Sequence, residues 1–525
     1  MEFDIIISNG RLIDGTGNPW FKADIGIAGE RIESVGGLSG ERAERWIDAQ
    51  GHVVAPGFID IHSHSDYNLL IDPRVESKVR QGVTTEVVGN CGGSAAPMND
   101  EVRAYREKYM RARLGEDFKF NWETMSDYLG LIDTSGASFN VVALVGQGTV
   151  RQNVMGYEDR EPTNSELTAM KDLVANAMED GAFGMSTGLI YTPSVYANTD
   201  EIIELAKVVA SYKGLYFSHI RGEGETLLEA VMEAVEIGEK AGLPVQIAHF
   251  KASGKPYWGK TVDSLRLVKE GREKGVDVTF DQYPYIASST GLSAYMPRWA
   301  LDGGTDVLLE RLKNPEIRMK IREAPATLTR DWSSVMISST KNHPELEGKT
   351  ITEMADLQGK DEMTAVFDLL ISEDAQVQIV SFGMCEEDVR RVMRSPYGMV
   401  GSDGSAVSPQ GILGRGKPHP RFYGTFPRVI GHYVREGVLN LQEAIRKMTS
   451  APAQRLRLRD RGILREGYKA DINIFDPNRV KDEATFTDPH RFASGIFYVM
   501  VNGTLVVEGG EHTGALPGKV LRKNQ

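Results

Sequence analysis

The chain has 525 residues, of which 41% are hydrophobic and 25% charged, as in globular proteins with more than one domain. The net charge of -13 argues against nucleic acid or an anionic membrane as a partner, and no apolar run is long enough to cross a bilayer. The N-terminal residues lack the features of a signal peptide, and two cysteines, Cys91 and Cys385, cannot form a disulfide framework. These features predict a cytoplasmic location, and they indicate no particular oligomeric state.

Short apolar strands separated by glycine-rich turns occupy residues 1–55 and recur in residues 456–525. Both segments have the pattern of antiparallel β-structure. Because each is too short to be a stable domain alone, we expect the two ends of the chain to meet in one small β-sandwich.

Residues 56–455 alternate apolar β-rich runs with amphipathic stretches, such as 199–213, whose apolar residues have helical spacing. Candidate strands end near eight positions: His62, Cys91, Gly146, Ser186, His219, His249, Tyr283 and Asp403. Eight strand-then-helix units predict an α/β fold, a (β/α)8 TIM-like barrel. The interval from Tyr283 to Asp403 is too long for one crossover helix. We therefore expect about residues 289–345 to form an insertion over the barrel mouth, acting as a mobile lid.

Two histidines at the end of the first barrel strand, His62 and His64, are two residues apart and so point to the same face. A His-x-His pair alone is equally consistent with a solvated strand end. Other residue types that bind metals also fall at predicted strand ends, namely Cys91, His219, His249 and Asp403. Since the carboxyl ends of barrel strands gather at one face, these six side chains are predicted to meet there as a metal-binding set.

The combination of imidazoles with a thiolate favours zinc over magnesium or calcium, which prefer oxygen ligands. A free cysteine can instead pack as a small buried hydrophobic residue, and this alternative stays open for Cys91. Asp403 is expected to act as the general base beside the metal, taking a proton from the attacking water and returning it to the leaving nitrogen. The alternative for Asp403 is an ordinary helix-capping or turn residue.

Several segments resemble those of a known family. Residues 56–64, Pro-Gly-Phe-Ile-Asp-Ile-His-Ser-His, resemble the metal motif of the amidohydrolase superfamily of metallo-dependent hydrolases. Further segments resemble one branch of it, the N-acyl-D-amino-acid deacylases or D-aminoacylases: residues 89–92, 218–221, 248–251, 281–285, 402–404 and 419–428. Many amidohydrolases bridge two metals with a carboxylated lysine, but the middle-strand candidates here, residues 141–146 and 182–188, contain no lysine.

The resemblance implies zinc-dependent hydrolysis of the amide bond of small N-acyl-D-amino acids, giving a carboxylate and a free D-amino acid. It implies one tight zinc site at Cys91, His219 and His249, and a weaker second site bordered by His62, His64 and Asp403. It further implies substrate contacts by Lys251, Tyr283, Arg421 and Tyr191. Arginine and lysine suit a carboxylate and a tyrosine hydroxyl suits a developing oxyanion, although ordinary surface salt bridges are the alternative.

Three other functions compete with this expectation. A D-dipeptidase-like enzyme and a cyclic-amide hydrolase would use the same catalytic residues. A metal-free scaffold or binding protein could share the barrel, but a degenerate scaffold would be expected to have lost metal ligands, and here the whole set is present.

Overall fold

The computed structural model describes residues 2–324 and 331–523. The strands are β1 Glu2–Leu12, β2 Phe21–Ala28, β3 Arg31–Gly36, β4 Arg42–Asp48, β5 Val53–Pro56, β6 Phe58–Asp60, β7 Val83–Val88, β8 Asn140–Ala143, β9 Val145–Gly146, β10 Gly184–Gly188, β11 Leu215–His219, β12 Val245–Ile247, β13 Val278–Gln282, β14 Ser288–Gly291, β15 Val335–Ser339, β16 Gln378–Ser381, β17 Gly398–Val400, β18 Ile472–Phe475, β19 Ile496–Val501, β20 Thr504–Glu508, β21 Glu511–His512 and β22 Val520–Leu521.

The α-helices are α1 Asn68–Ile71, α2 Glu76–Val79, α3 Asp100–Leu114, α4 Met125–Ser135, α5 Gln147–Met155, α6 Asn164–Glu179, α7 Thr199–Ser211, α8 Leu227–Ala241, α9 Thr261–Glu273, α10 Thr305–Lys313, α11 Pro315–Glu323, α12 Ile351–Gln358, α13 Glu362–Ser372, α14 Glu386–Arg394, α15 Arg421–Arg428, α16 Leu441–Met448 and α17 Ser450–Leu456. Within the two described ranges, no helix is both long and apolar enough to span a membrane.

Local sequence accounts for many of these elements. Helix α6 begins at a capping box in which Thr163 and Glu166 satisfy each other's backbone N–H groups. Helix α8 ends at Gly242, which adopts the left-handed conformation that closes a helix at little steric cost. All six residues of β7 are buried, as expected of a parallel strand covered on both faces.

Parallel strands β6 to β13 and β17 form the barrel, in which β8 and β9 are two halves of one strand interrupted at Leu144. Eight strand positions result. The first and last meet through a parallel bridge between Ser63 and Gly404, where the Asp403 amide donates to the His62 carbonyl at 2.8 Å. The predicted (β/α)8 barrel is therefore confirmed.

The two ends of the chain form a single nine-stranded sheet with the order β21-β20-β19-β18-β5-β1-β2-β3, and β4 pairs with β1. Strand β5 joins the two parts by pairing antiparallel with β18. Side chains such as Ile7, Ile25 and Ile472 fill the core of this domain. The same core contains Ile32 of β3 and Leu505 of β20, from opposite ends of the strand order, so the sheet folds back on itself as the expected β-sandwich built from both termini.

The assignment of all of residues 456–525 to the sandwich needs one correction. Strand β22 leaves the sandwich and pairs parallel with β8 of the barrel, with Val520 opposite Val141. Gly518 permits this return, because a Cβ there would lie 2.0 Å from the Phe139 carbonyl oxygen.

The insertion is longer than the predicted residues 289–345. Strands β14, β16 and β15 form a three-stranded antiparallel sheet, so the inserted unit runs from about residue 288 to residue 381. It has its own hydrophobic core, which includes Leu292, Phe367 and Ile379. The predicted lid is therefore a folded subdomain, and residues 325–330 within it lie outside the described residues.

A buried lysine lies beneath the carboxyl ends of the barrel strands. The Lys78 ammonium, fully buried, contacts Asp60 Oδ2 at 2.9 Å, Glu86 Oε1 at 2.8 Å and the Ser402 hydroxyl at 2.7 Å. These three partners belong to the first, second and last strand positions of the barrel or follow them directly. Lys78 therefore ties together the strands that end near His62, Cys91 and Asp403.

Lys78→Met should destabilise the fold by about 3–5 kcal/mol, because it leaves two carboxylates buried without their cation. Chemical denaturation of the two proteins measures the difference. Lys481→Met is the matched control, since the Lys481 ammonium is solvent-exposed and its pairing with Glu483 should matter little. Equal losses of stability in the two variants would contradict a special role for Lys78.

Candidate metal centre

The six predicted metal ligands converge at the carboxyl ends of the barrel strands. His219 is the last residue of β11, and the others follow their strands within four residues. Their ligand atoms form two groups, each with all atoms within 4.8 Å of one another: Cys91, His219 and His249, and His62, His64, Cys91 and Asp403. Cys91 belongs to both groups.

In the first group, Cys91 Sγ lies 3.7 Å from His249 Nε2, which lies 2.9 Å from His219 Nδ1. The other ring nitrogen of His219, Nε2, is buried and has no hydrogen-bond partner among the described residues. One sulfur and two imidazole nitrogens facing a common point are the donor set that suits zinc, with a fourth position left for another ligand. The residues present therefore fit a zinc ion.

The second group shares Cys91 with the first. His62 Nε2 is 3.3 Å from Cys91 Sγ and 3.4 Å from Asp403 Oδ1. His64 Nε2 contacts the same Asp403 oxygen at 2.9 Å. Two imidazoles, a carboxylate and the shared thiol could hold a second cation here.

Three of the predicted ligands adopt a backbone conformation that is uncommon for residues other than glycine. The φ angles are +52° at Cys91, +35° at His249 and +49° at Asp403. Each such residue costs about 1–3 kcal/mol in local strain, and residues of this kind cluster at functional sites. The chain turns sharply after each strand, which brings these side chains to the centre of the barrel mouth.

The charges around the site favour an ionised thiol. Burial alone would raise the pKa of the Cys91 thiol, but the His62, His219 and His249 imidazoles hold it well below its usual range. Burial alone would lower the pKa of His62, but Asp281 and Cys91 raise it well above its usual value. A thiolate is the form of cysteine that binds metals.

Two carboxylates around the cluster, Asp281 and Glu223, were not assigned a role from the sequence. Asp281 Oδ1 contacts His62 Nδ1 at 2.9 Å and accepts the His249 amide at 2.8 Å. Glu223 Oε1 lies 3.0 Å from His249 Nδ1. A carboxylate on the far nitrogen of a histidine orients the ring and fixes its tautomer. Asp281 lies in the segment 281–285 that resembles the deacylases, whereas nothing in the sequence around Glu223 marks it.

Of the residues predicted to contact substrate, Arg421 and Tyr283 lie beside Asp403. Arg421 Nη1 is 2.8 Å from Asp403 Oδ2, and the Arg421 guanidinium stacks 4.6 Å from the centroid of the Tyr283 ring. Arg421 Nε and the Tyr283 hydroxyl are buried with no hydrogen-bond partner among the described residues. They are donors available to a ligand.

Lys251 and Tyr191 lie beside His249 and His219, respectively. The Lys251 ammonium contacts Glu223 Oε1 at 2.5 Å and His249 Nδ1 at 2.7 Å, so it is already paired with a carboxylate. The Tyr191 ring packs edge-on against His219 with a centroid distance of 5.0 Å. The Tyr191 hydroxyl accepts a hydrogen bond from Thr290 of β14 at 3.0 Å, which brings the insertion to the edge of the site.

A cavity of about 350 Å³ opens beside the cluster. His64 and Cys91 border it on one side, and Gly92, Thr149 and Tyr191 form part of the remaining wall. A cavity of this size fits a small molecule rather than a macromolecule.

The barrel and the converging cysteine, histidines and aspartate define a hydrolase of the metallo-dependent barrel class. A family model described as "Amidohydrolase family" matches residues 45–507. D-aminoacylase of Alcaligenes xylosoxydans xylosoxydans is 37% identical over 522 residues, which cover 99% of this chain and 98% of that protein. The chain belongs to the amidohydrolase family, in its branch of N-acyl-D-amino-acid deacylases.

Two solved structures align with this chain over 99% of its length and over 100% of their own length. N-acyl-D-glutamate deacylase from Bordetella bronchiseptica, complexed with zinc and a phosphonate that mimics the tetrahedral intermediate, has a TM-score of 0.85 and 35% identity. A D-aminoacylase described as having a binuclear metal centre, with one-metal activation and second-metal attenuation, has a TM-score of 0.83 and 37% identity.

Cys91→Ala should lose both bound zinc and hydrolytic activity, because its sulfur is common to both candidate ligand groups. Elemental analysis of the purified variant measures the bound zinc. The control is Cys385→Ala, since the Cys385 thiol donates a hydrogen bond to Asp388 near the start of α14 and should be dispensable. Stoichiometric zinc in the Cys91 variant would remove Cys91 from the ligand set.

Proposed function

We propose that this chain hydrolyses the amide bond of N-acyl-D-amino acids, releasing a carboxylate and a free D-amino acid. The proposal rests on one observation. A thiol shared by two groups of imidazole ligands stands next to Asp403, and Arg421 contacts that carboxylate with one side of its guanidinium. The activity of the related D-aminoacylase and N-acyl-D-glutamate deacylase supports it.

Cys91, His219 and His249 would hold one tight zinc ion, and His62, His64 and Asp403 would border a weaker second site. The zinc complex of the Bordetella enzyme supports the choice of metal, and the one-metal activation described for D-aminoacylase supports a single tight site. When bound, zinc polarises the scissile carbonyl and lowers the pKa of the attacking water.

Asp403 is the residue that moves the proton. Burial alone would raise the pKa of Asp403, but Arg421, His249 and His62 hold it well below its usual range, so the group is a carboxylate at neutral pH. Its Oδ1 atom faces His62 and His64, while Oδ2 is held by Arg421. Oδ1 would accept the proton of the attacking water and return it to the leaving nitrogen.

Arg421 would hold the α-carboxylate of the substrate. One guanidinium nitrogen, Nη1, is engaged by Asp403, but Nε has no partner among the described residues and Nη2 has only a long contact, 3.5 Å, to the Ser289 carbonyl oxygen. The Nε and Nη2 edge is therefore available for bidentate binding of a carboxylate. The Tyr283 hydroxyl, buried beside it, would donate to the same carboxylate or to the developing oxyanion.

If both the α-carboxylate and the scissile carbonyl of the substrate are held in place, the side chains of the two enantiomers point in different directions. A pocket on only one side would then select the D configuration. Lys251 would add a second positive charge near the substrate carboxylate, although its ammonium also forms an ion pair with Glu223.

Hydrolysis of paired N-acetyl-D and N-acetyl-L amino acids by the zinc-loaded enzyme tests this function. We expect turnover of D substrates and little of their L partners. D-dipeptides and hydantoins, included in the same screen, test the two rival activities of the superfamily. Preferential turnover of a hydantoin or a D-dipeptide would replace the proposed substrate class.

Asp403→Ala should fold, keep the tight zinc and lose about 10²–10⁴-fold in kcat, the usual contribution of general acid-base catalysis. Steady-state kinetics combined with zinc analysis of the same sample separates proton transfer from metal retention. Near-normal turnover of the metal-loaded variant would exclude Asp403 from the reaction.

Arg421→Lys should reduce kcat/KM strongly for N-acyl-D-amino acids, because lysine cannot form the bidentate contact. The matched substrates are the corresponding amides, in which the α-carboxylate is replaced by a neutral group. The loss should be much smaller for these amides, which do not use the contact. Equal losses for both substrate types would show that Arg421 supports Asp403 rather than the substrate.

A further inference from the structure

A second cavity, of about 260 Å³, lies at the opposite end of the barrel from the metal centre. Residues at or just before the amino ends of β11, β12, β13 and β17 border it, and α17 covers it. Strand β11 has five residues and so separates the two ends by roughly 16 Å. The cavity is therefore separate from the catalytic site.

Positive charge dominates the wall of this cavity. Among the described residues that line it, Asp277 is the one carboxylate, and four arginines face it: Arg272, Arg446, Arg455 and Arg457. Arg455 Nη1 and Arg272 Nη1 share Asp277, at 2.9 Å and 3.1 Å from its two oxygens. Arg446 has its own partner outside the wall, Glu443, at 2.7 Å. The cavity wall therefore has an excess of positive charge.

Arg457 has no carboxylate partner among the described residues. Its Nη1 donates a hydrogen bond to the Lys213 carbonyl oxygen at 3.1 Å. The remaining guanidinium donors of Arg457 are open to solvent or to a ligand, since the residue is exposed. It lies at the rim, where it could close over a bound anion.

Arg455 supplies an independent observation. Its side chain is only 4% exposed, yet its Nε is buried with no hydrogen-bond partner among the described residues. A buried N–H without a partner is unfavourable, and more so when the group is charged. An acceptor in the cavity would remove this cost.

We propose that this cavity is a binding site for a small phosphate-bearing molecule. Guanidinium groups bind phosphate oxygens with paired, charge-assisted hydrogen bonds, and several arginines at one point suit a group with more than one negative charge. The cavity is smaller than the roughly 300–1,000 Å³ of pockets for drug-sized ligands, so it takes inorganic phosphate or a small phosphate monoester. The site is independent of the proposed catalytic function.

Isothermal titration of the zinc-loaded enzyme with inorganic phosphate, glycerol phosphate and malonate, at constant ionic strength, tests the site. Saturable binding of one phosphate or phosphate ester per chain is expected, with weaker binding of the dicarboxylate. The tighter of the two phosphate compounds identifies free phosphate or an ester as the ligand. Non-saturable heats with all three compounds would overturn the proposal.

Arg457→Gln should weaken phosphate binding about tenfold or more, the loss of one charged hydrogen-bonding group. Arg272→Gln should weaken it in the same way. The matched control is Arg491→Gln, which removes an exposed arginine paired with Asp488 far along the chain. Unchanged binding in both cavity variants would place the phosphate elsewhere, such as at Arg421, and would overturn the proposal.

Discussion

Cys91 is the side chain on which the arrangement of the catalytic centre depends, since its sulfur belongs to both groups of ligands. It lies in a loop that only glycines permit. A Cβ at Gly89 would lie 2.1 Å from the Leu144 carbonyl oxygen, and one at Gly92 would lie 2.6 Å from the Gly188 amide nitrogen. The loop therefore packs directly against the neighbouring barrel strands, and Cys91 is held at the centre of the mouth.

The charges around Cys91 are balanced by groups from distant parts of the chain. Asp281 orients His62, Glu223 pairs with His249 and Lys251, and Arg421 restrains Asp403. Beneath them, the buried Lys78 joins three of the strands that carry ligands. The strain of the left-handed residues and the cost of burying charge are thus offset by the hydrogen bonds and packing of the whole barrel mouth.

The sequence predicted the parts of the molecule that depend on local patterns. Apolar runs and their spacing predicted the barrel, and the residue types at strand ends predicted six side chains that converge at its mouth. Local patterns underestimate the insertion, because its closing strand β16 is short and pairs with β14 much earlier in the chain, with Ser381 opposite Ser288. The pairs of Asp281 with His62 and of Arg421 with Asp403 could not be predicted, since they join residues far apart in sequence. The return of β22 to the barrel depends in the same way on a tertiary contact, the close approach of Gly518 to Phe139.

Zinc K-edge X-ray absorption on enzyme loaded with one zinc per chain tests the central claim, that the Cys91 thiolate binds the tight metal. Binding by Cys91 predicts one sulfur at about 2.3 Å together with nitrogen or oxygen neighbours at about 2.0–2.1 Å. A first shell of nitrogen and oxygen alone, with no sulfur, would contradict it.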